Sequence, residues 1–106
     1  MKKISYLLVF TTVPNKELAD SIANECVISG IAACVQITPT KSVYMWEGQV
    51  ETTTEQLLKV KLTEKNYNTL ETIILRMHPY DTPEIIAIPI SHGNIAYLSW
   101  INEVTK

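Results

Sequence analysis

Basic side chains are scarce in this sequence, which has nine Lys and Arg residues against eleven Asp and Glu residues. Arg76 is the only arginine, and the formal net charge is −2. Proteins that bind nucleic acids usually present a basic face that neutralises phosphates. We therefore expect no nucleic-acid partner.

Cysteine is also rare, with only Cys26 and Cys34 present. They are not in CxxC spacing, and no second pair is available to complete a cysteine zinc site. Because unpaired cysteine is among the most frequently buried residue types, we predict two buried free thiols.

Long apolar runs are missing as well. No stretch approaches the roughly 20 apolar residues that a helix needs to span a bilayer. The apolar run at 4–10 follows two lysines, but it is short and lacks a small-residue cleavage site behind it. We expect a cytoplasmic protein with no membrane segment, folded as a single domain over residues 1–106.

Strand patterns and helix patterns alternate along the chain. Asn15 is placed to cap a first helix, Gly30 to end it, and Thr63 to cap a second helix. Asn94 is placed to cap a further helix near the end, with Ile101 on its buried side. The predicted strands cover residues 4–12, 33–46, 49–62 and 84–90.

This order, β-α-β-β-α-β plus a C-terminal helix, predicts the α+β class. It is typical of a ferredoxin-like sandwich, an antiparallel four-stranded sheet with the helices on one face. Pro39 predicts a bend, a bulge or an edge position in the second strand. The large side chains at 43–46 predict that both faces of that strand are covered. Two strands this long need a partner, and a second copy of the chain is the natural one.

The segment from His78 to Glu84 has the most chemical potential. Pro79 and Pro83 make it rigid and end the preceding helix. An imidazole is a common ligand of copper and zinc, and a carboxylate can complete part of the coordination shell. We predict a divalent-cation site at His78 and Glu84. The alternative is that His78 only caps the helix C-terminus.

A second group of candidates combines aromatic residues with a cation. Tyr44, Trp46 and Tyr80 can line a ligand pocket between subunits, with Lys61 supplying charge. They can equally be anchors of a subunit interface, where Trp and Tyr contribute much of the binding energy. Lys61 lies in an otherwise apolar strand, and its simplest role is a salt bridge, with Glu84 as a candidate partner.

Catalysis has little support in the sequence. Cys34 and His78 could in principle form a nucleophile and a base. The residues next to Cys34 are apolar, however, and such a setting disfavours the reactive thiolate. We predict that the protein is not an enzyme. His92 is predicted to be a loop or capping residue, with a second metal ligand as the alternative.

Several motifs occur together in a fixed order. They are Thr12-Val13-Pro14, Ala33-Cys34-Val35, Tyr44-Met45-Trp46-Glu47-Gly48, Lys61, His78-Pro79-Tyr80-Asp81-Thr82-Pro83-Glu84, and Tyr97-Leu98-Ser99-Trp100 after Gly93. This series resembles the CutA (divalent-cation tolerance) family over about residues 6 to 101.

The resemblance implies a cytoplasmic homotrimer in which long hairpins cross into neighbouring subunits, with Trp46, Tyr44 and Trp100 at the interface. It implies a role in tolerance of copper and other divalent ions, with weak binding of a cation such as copper or zinc and no organic cofactor. It also implies a shape similar to PII signalling trimers, so the alternative function is small-ligand binding in inter-subunit clefts. Some relatives have a metal-linked cysteine where this chain has Thr11, which disfavours tight copper(I) binding.

Overall fold

A computed structural model of the chain describes residues 3–106. Met1 and Lys2, the start of the segment considered as a leader, lie outside the described residues. The secondary structure comprises β1 (Tyr6–Val13), α1 (Lys16–Ile28), β2 (Cys34–Trp46), β3 (Gln49–Thr63), a 3-10 turn (Glu64–Asn66), α2 (Tyr67–Met77), β4 (Ile85–Pro89) and α3 (Ile95–Glu103).

The predicted signals for helix ends are present at three positions. Asn15 Oδ1 accepts a 2.9 Å hydrogen bond from the N–H of Leu18. Asn94 Oδ1 accepts one of 3.1 Å from the N–H of Tyr97. Gly30 follows α1 with a φ of 77°, the left-handed conformation that glycine adopts without strain. These residues fix where α1 and α3 begin and where α1 ends.

Thr63 does not cap α2 as predicted. Its side chain makes no capping bond, and a 3-10 turn separates it from α2. Thr63 Oγ1 instead accepts a 3.4 Å hydrogen bond from Asn66 Nδ2, which also reaches the carbonyl of Ile31. The buried Asn66 thus links the start of α2 to the loop that follows α1.

The four strands form one sheet in the order β2-β3-β1-β4. Each neighbouring pair is antiparallel. With α1 and α2 as its connections, this is the predicted ferredoxin-like topology. The order places β2 and β4 at the edges, where Pro39 and Pro89 cost no sheet hydrogen bond.

The two faces of the sheet differ in composition. Leu58, Val60 and Leu62 of β3 are fully buried and belong to the main core, which also contains residues of α1 and α2. On the opposite, open face, the register places Leu8 between Lys61 and Ile88. Ile86 and Ile88 remain 49% and 43% exposed there.

The β2–β3 hairpin projects beyond the rest of the sheet and gives the molecule a long axis of 50 Å. β1 pairs with β3 only from Gln56 to Thr63, so the distal part of the hairpin pairs only with itself. Glu47 and Gly48 form the tip with φ values of 50° and 80°. The expectation that residues 43–46 are covered on both faces is wrong for one copy, since Val43, Met45 and Trp46 are about 60% exposed or more, at 62%, 66% and 59%.

The C-terminal helix α3 buries Ile101 completely, as expected, and leaves Tyr97 and Trp100 about 40% exposed. α3 is in contact with β3. Within residues 3–106, no helix has both the length and the apolar character required to cross a membrane.

Candidate functional site

His78 occupies the junction between α2 and the proline-rich loop. Its backbone N–H donates a 2.8 Å hydrogen bond to the carbonyl of Ile74, which closes the last turn of α2. Its φ and ψ are then those of an extended residue, because Pro79 disfavours a helical conformation before it. The side chain is only 8% exposed. The predicted helix end is therefore confirmed, and the imidazole points inward.

Both ring nitrogens of His78 have partners. Nε2 lies 2.7 Å from the carbonyl oxygen of Thr12, and Nδ1 accepts a 3.2 Å hydrogen bond from the N–H of Tyr80. A carbonyl can only accept, so these partners assign the ring proton to Nε2. His78 thus anchors the loop to the end of β1. A metal ligated by this ring would have to displace one of the two bonds.

Tyr80 connects the same loop to the hairpin. Its ring contacts that of His78, with centroids 4.7 Å apart. Its hydroxyl donates a 3.1 Å hydrogen bond to Oε2 of Glu55 on β3. Burial, and then the bond to Glu55, raises the pKa of the Tyr80 phenol. At neutral pH the phenol is protonated and is the donor in this bond.

A cleft of about 850 Å³ lies between this loop and the hairpin. The aromatic residues Tyr44, Trp46 and Tyr80 contribute to its walls. Four carboxylates line it as well. They are Glu51, Glu55, Asp81 and Glu84. Its lining, taken over residues 3–106, contains no Lys, Arg or His, so its charge is negative.

The structure separates Lys61 from the other cleft candidates. Lys61 Nζ donates a 3.3 Å hydrogen bond to the hydroxyl of Tyr97 on α3 and lies 5.4 Å from the centre of that ring. Its register partner on β1 is Leu8. Thr12, which lines the cleft, is four residues further along β1, a distance of roughly 13 Å. Within one copy, Lys61 therefore contacts Tyr97 rather than Glu84.

Glu84 and His78 differ in their accessibility. Glu84 is exposed and lines the cleft, whereas His78 is buried behind the loop. No group of three or more His, Cys, Asp or Glu side chains within residues 3–106 is arranged to hold a metal ion. The metal site predicted at these two residues stays a prediction, and one copy supplies few ligands for it.

Glu51 and Glu55 were missed by the sequence interpretation. A signal was available, because pairing across the Glu47-Gly48 turn places Glu51 opposite Tyr44. Residues directly opposite in an antiparallel pair share a face. Glu55, four residues further along β3, therefore lies on the face that carries Tyr44.

The two cysteines lie apart from this cleft. Burial raises the pKa of the Cys26 thiol to about 11, and Glu25 adds to the effect. Cys34 is partly exposed, so the expectation of two buried thiols is wrong for it. Its register partner is Lys61, at the level of Leu8, whereas His78 is bonded to Thr12. This separation places Cys34 and His78 too far apart to act as a nucleophile and base within one copy.

These observations define a class of protein, a ferredoxin-like α+β domain with an acidic aromatic cleft at the base of a long hairpin. The family model described as "CutA1 divalent ion tolerance protein" matches residues 7–104. The chain belongs to this CutA1 family.

Individual relatives agree with this assignment. The chain is 43% identical to the divalent-cation tolerance protein CutA of Thermus thermophilus over 92% of this chain and 96% of that one. It is 43% identical to the rice protein "CutA 1, chloroplastic" over 94% of this chain and 57% of that one. The crystal structure of CutA1 from Oryza sativa superposes with a TM-score of 0.94 at 41% identity, covering 97% of this chain and 95% of that chain. The chain thus spans little more than half the length of the rice relative.

Proposed function

We propose that this protein acts in tolerance of divalent metal ions as a homotrimer that binds divalent cations weakly. The observation that carries the proposal is the negative cleft, whose rim includes the exposed carboxylates Asp81 and Glu84. Carboxylate oxygens suit divalent cations, and few ligands from one copy imply weak binding. Family membership supports the general role in metal tolerance.

His78 has a positioning role in this proposal. Its ring bonds to Thr12 and Tyr80 hold the loop that carries Asp81 and Glu84. Direct ligation of copper or zinc by His78, predicted from the sequence, requires one of those bonds to open. The rim carboxylates need no such change.

The proposed trimer is supported by apolar surface that one copy leaves uncovered. Ile86 and Ile88 are exposed on the open face of the sheet, and Met45 and Val50 are exposed on the hairpin. Contiguous apolar surface and an unpaired strand edge are typical of regions that a further subunit covers. Trp100, also predicted at the interface, is 39% exposed on α3.

The location and the absence of catalysis remain proposals. We propose a cytoplasmic protein, and the chloroplast label of the rice relative concerns that protein. The separation of Cys34 from His78 supports a binding function over an enzymatic one.

Calorimetric titration with Zn²⁺ and Cu²⁺ tests the proposed function. We expect Glu84→Gln and Asp81→Asn each to weaken binding several-fold, because each removes a negative oxygen ligand. Glu103→Gln is the matched control, since Glu103 is an exposed carboxylate at the end of α3. Wild-type affinity in both variants would show that Asp81 and Glu84 do not bind the metal ion.

A second candidate is a PII-like trimer that binds a small ligand. The aromatic wall of the cleft favours it, because a hydrated metal ion gains little from Tyr44, Trp46 and Tyr80. The two candidates differ in which part of the cleft is used, the carboxylate rim or the aromatic wall.

A further inference from the structure

The inner part of the cleft combines a buried carboxylate with aromatic side chains. Glu55 is only 7% exposed, yet it lines the cleft. Within residues 3–106, the bond from the neutral Tyr80 hydroxyl is the only hydrogen bond that its side chain makes. It engages Oε2 and leaves Oε1 without a hydrogen-bond partner. A buried carboxylate is costly unless a positive charge or several donors compensate it.

The strand next to Glu55 shows a second deficit of hydrogen bonds. Thr53 lies between Glu51 and Glu55 on the same face of β3. Its Oγ1 is buried and has no hydrogen-bond partner within residues 3–106. Buried polar atoms in folded proteins are nearly always paired. Within residues 3–106, this part of the cleft therefore has no basic side chain and has an unpaired hydroxyl beside Glu55.

The walls of the cleft decide which kind of cation fits. Aromatic faces attract cations through the ring quadrupole, and an alkyl stem gains apolar contact with the same rings. Tyr44, Trp46 and Tyr80 offer this combination beside Glu51 and Glu55. A metal ion would use neither the apolar contact nor the ring faces. An anion would meet four carboxylates and, within residues 3–106, no basic side chain.

We propose that the aromatic wall of the cleft binds a primary alkylammonium group. Its N–H donors hydrogen-bond to Glu55 Oε1, and its alkyl stem lies against Trp46 and Tyr44. A pocket containing Lys61 would attract an anion. Lys61 is bonded to Tyr97 instead, so the cleft attracts a ligand of the opposite charge. The proposal shares the cleft with the proposed function but not its ligand or the rim carboxylates.

Titration of the full chain with butylammonium chloride at neutral pH tests the proposal. Binding is followed by Trp fluorescence and by amide NMR shifts, with 1-butanol as the uncharged probe of the same shape. We expect saturable binding of butylammonium, with shifts centred on Tyr44, Trp46 and Glu55, and at least tenfold weaker binding of 1-butanol. Equal binding of both probes, or no saturable butylammonium binding to the folded protein, would overturn the proposal.

Matched variants locate the site. Glu55→Gln should weaken butylammonium binding about tenfold or more, because it removes the charge-assisted hydrogen bond. Glu71→Gln is its control, since Glu71 also accepts a hydrogen bond from a tyrosine, Tyr67, at 2.8 Å, but on α2. Trp46→Leu should weaken binding several-fold, and Ile28→Ala, at an exposed position on α1, should leave it unchanged.

Further measurements distinguish loss of ammonium binding from unfolding and from loss of metal binding. Circular dichroism checks that each variant is folded. If Glu55→Gln does not fold, Tyr80→Phe is the replacement variant, because it keeps the aromatic ring. Tyr80→Phe frees Glu55 Oε2 and should retain butylammonium binding. Loss of butylammonium binding in that variant, or wild-type binding in Trp46→Leu, would contradict the proposed wall. Zn²⁺ titration of Trp46→Leu should match wild type, so failure of the ammonium site and failure of the rim metal site give different results.

Discussion

The Tyr80 hydroxyl donates a 3.1 Å hydrogen bond to the buried carboxylate of Glu55. The bond joins two segments 25 residues apart, the proline-rich loop and the base of the projecting hairpin. Because it is the only hydrogen bond of the Glu55 side chain within residues 3–106, this contact links loop position to hairpin stability.

Tyr80→Phe should lower the free energy of unfolding by about 1 kcal/mol, the usual net value of one hydrogen bond. Urea denaturation of wild type and variant measures the difference. Tyr67→Phe is the matched control, because Tyr67 donates to Glu71 four residues along the same helix and so joins no second element. We expect a smaller effect there. A larger loss in Tyr67→Phe would argue against the cross-element role of Tyr80.

His78→Ala should lower the free energy of unfolding by roughly 2–3 kcal/mol. The change leaves the Thr12 carbonyl and the Tyr80 N–H without their partner and empties a buried site. Denaturant unfolding measures it, with His92→Ala as the control, since the exposed His92 ring bonds only to its neighbour Ser91 within residues 3–106. Equal stability of the two variants would show that His78 does not anchor the loop.

Placing charge on the open sheet face should dissociate the proposed trimer. The double variant Ile86→Asp and Ile88→Asp would have to bury two carboxylates in the subunit contact, which is costly in free energy. Light scattering should give three times the 12.0 kDa chain mass for wild type and one chain for the variant. Ile28→Asp, at an 82% exposed position on α1, should remain trimeric. A monomeric wild type would refute the assembly.

Cys26 should make unfolding easier at alkaline pH. Its pKa rises from 9.0 to about 11 on folding, so the folded state holds the thiol proton more tightly than the unfolded state. This contribution is complete below pH 9 and is lost as pH rises through about 11. The free energy of unfolding of wild type should therefore fall more steeply than that of Cys26→Ala over this range. Parallel curves would contradict the shift.

Much of the fold could be predicted because its signals are local. The succession of strand and helix patterns predicted the topology, and Asn15, Gly30 and Asn94 marked the helix ends. Thr63 failed as a cap because Asn66 reaches the Ile31 carbonyl, a contact between residues 35 positions apart that no local pattern reveals.

The site was harder to predict because it depends on long-range contacts. The sequence indicated the aromatic residues and the loop that follows His78, which do border one cleft. It could not show that both ring nitrogens of His78 are occupied, since one partner, Thr12, lies 66 residues away. Lys61 was grouped with the cleft by residue type, whereas its nearest partner came from α3.

The length of the hairpin couples folding to protein concentration. Its distal strands have no helix behind them and no third strand beside them in one copy, so little apolar area is buried there on folding. If further copies supply the missing contacts, the melting temperature must rise with the number of molecules in solution, as it does whenever association stabilises only the folded state. Dilution would then loosen the tip first, together with the part of the cleft that Tyr44 and Trp46 form.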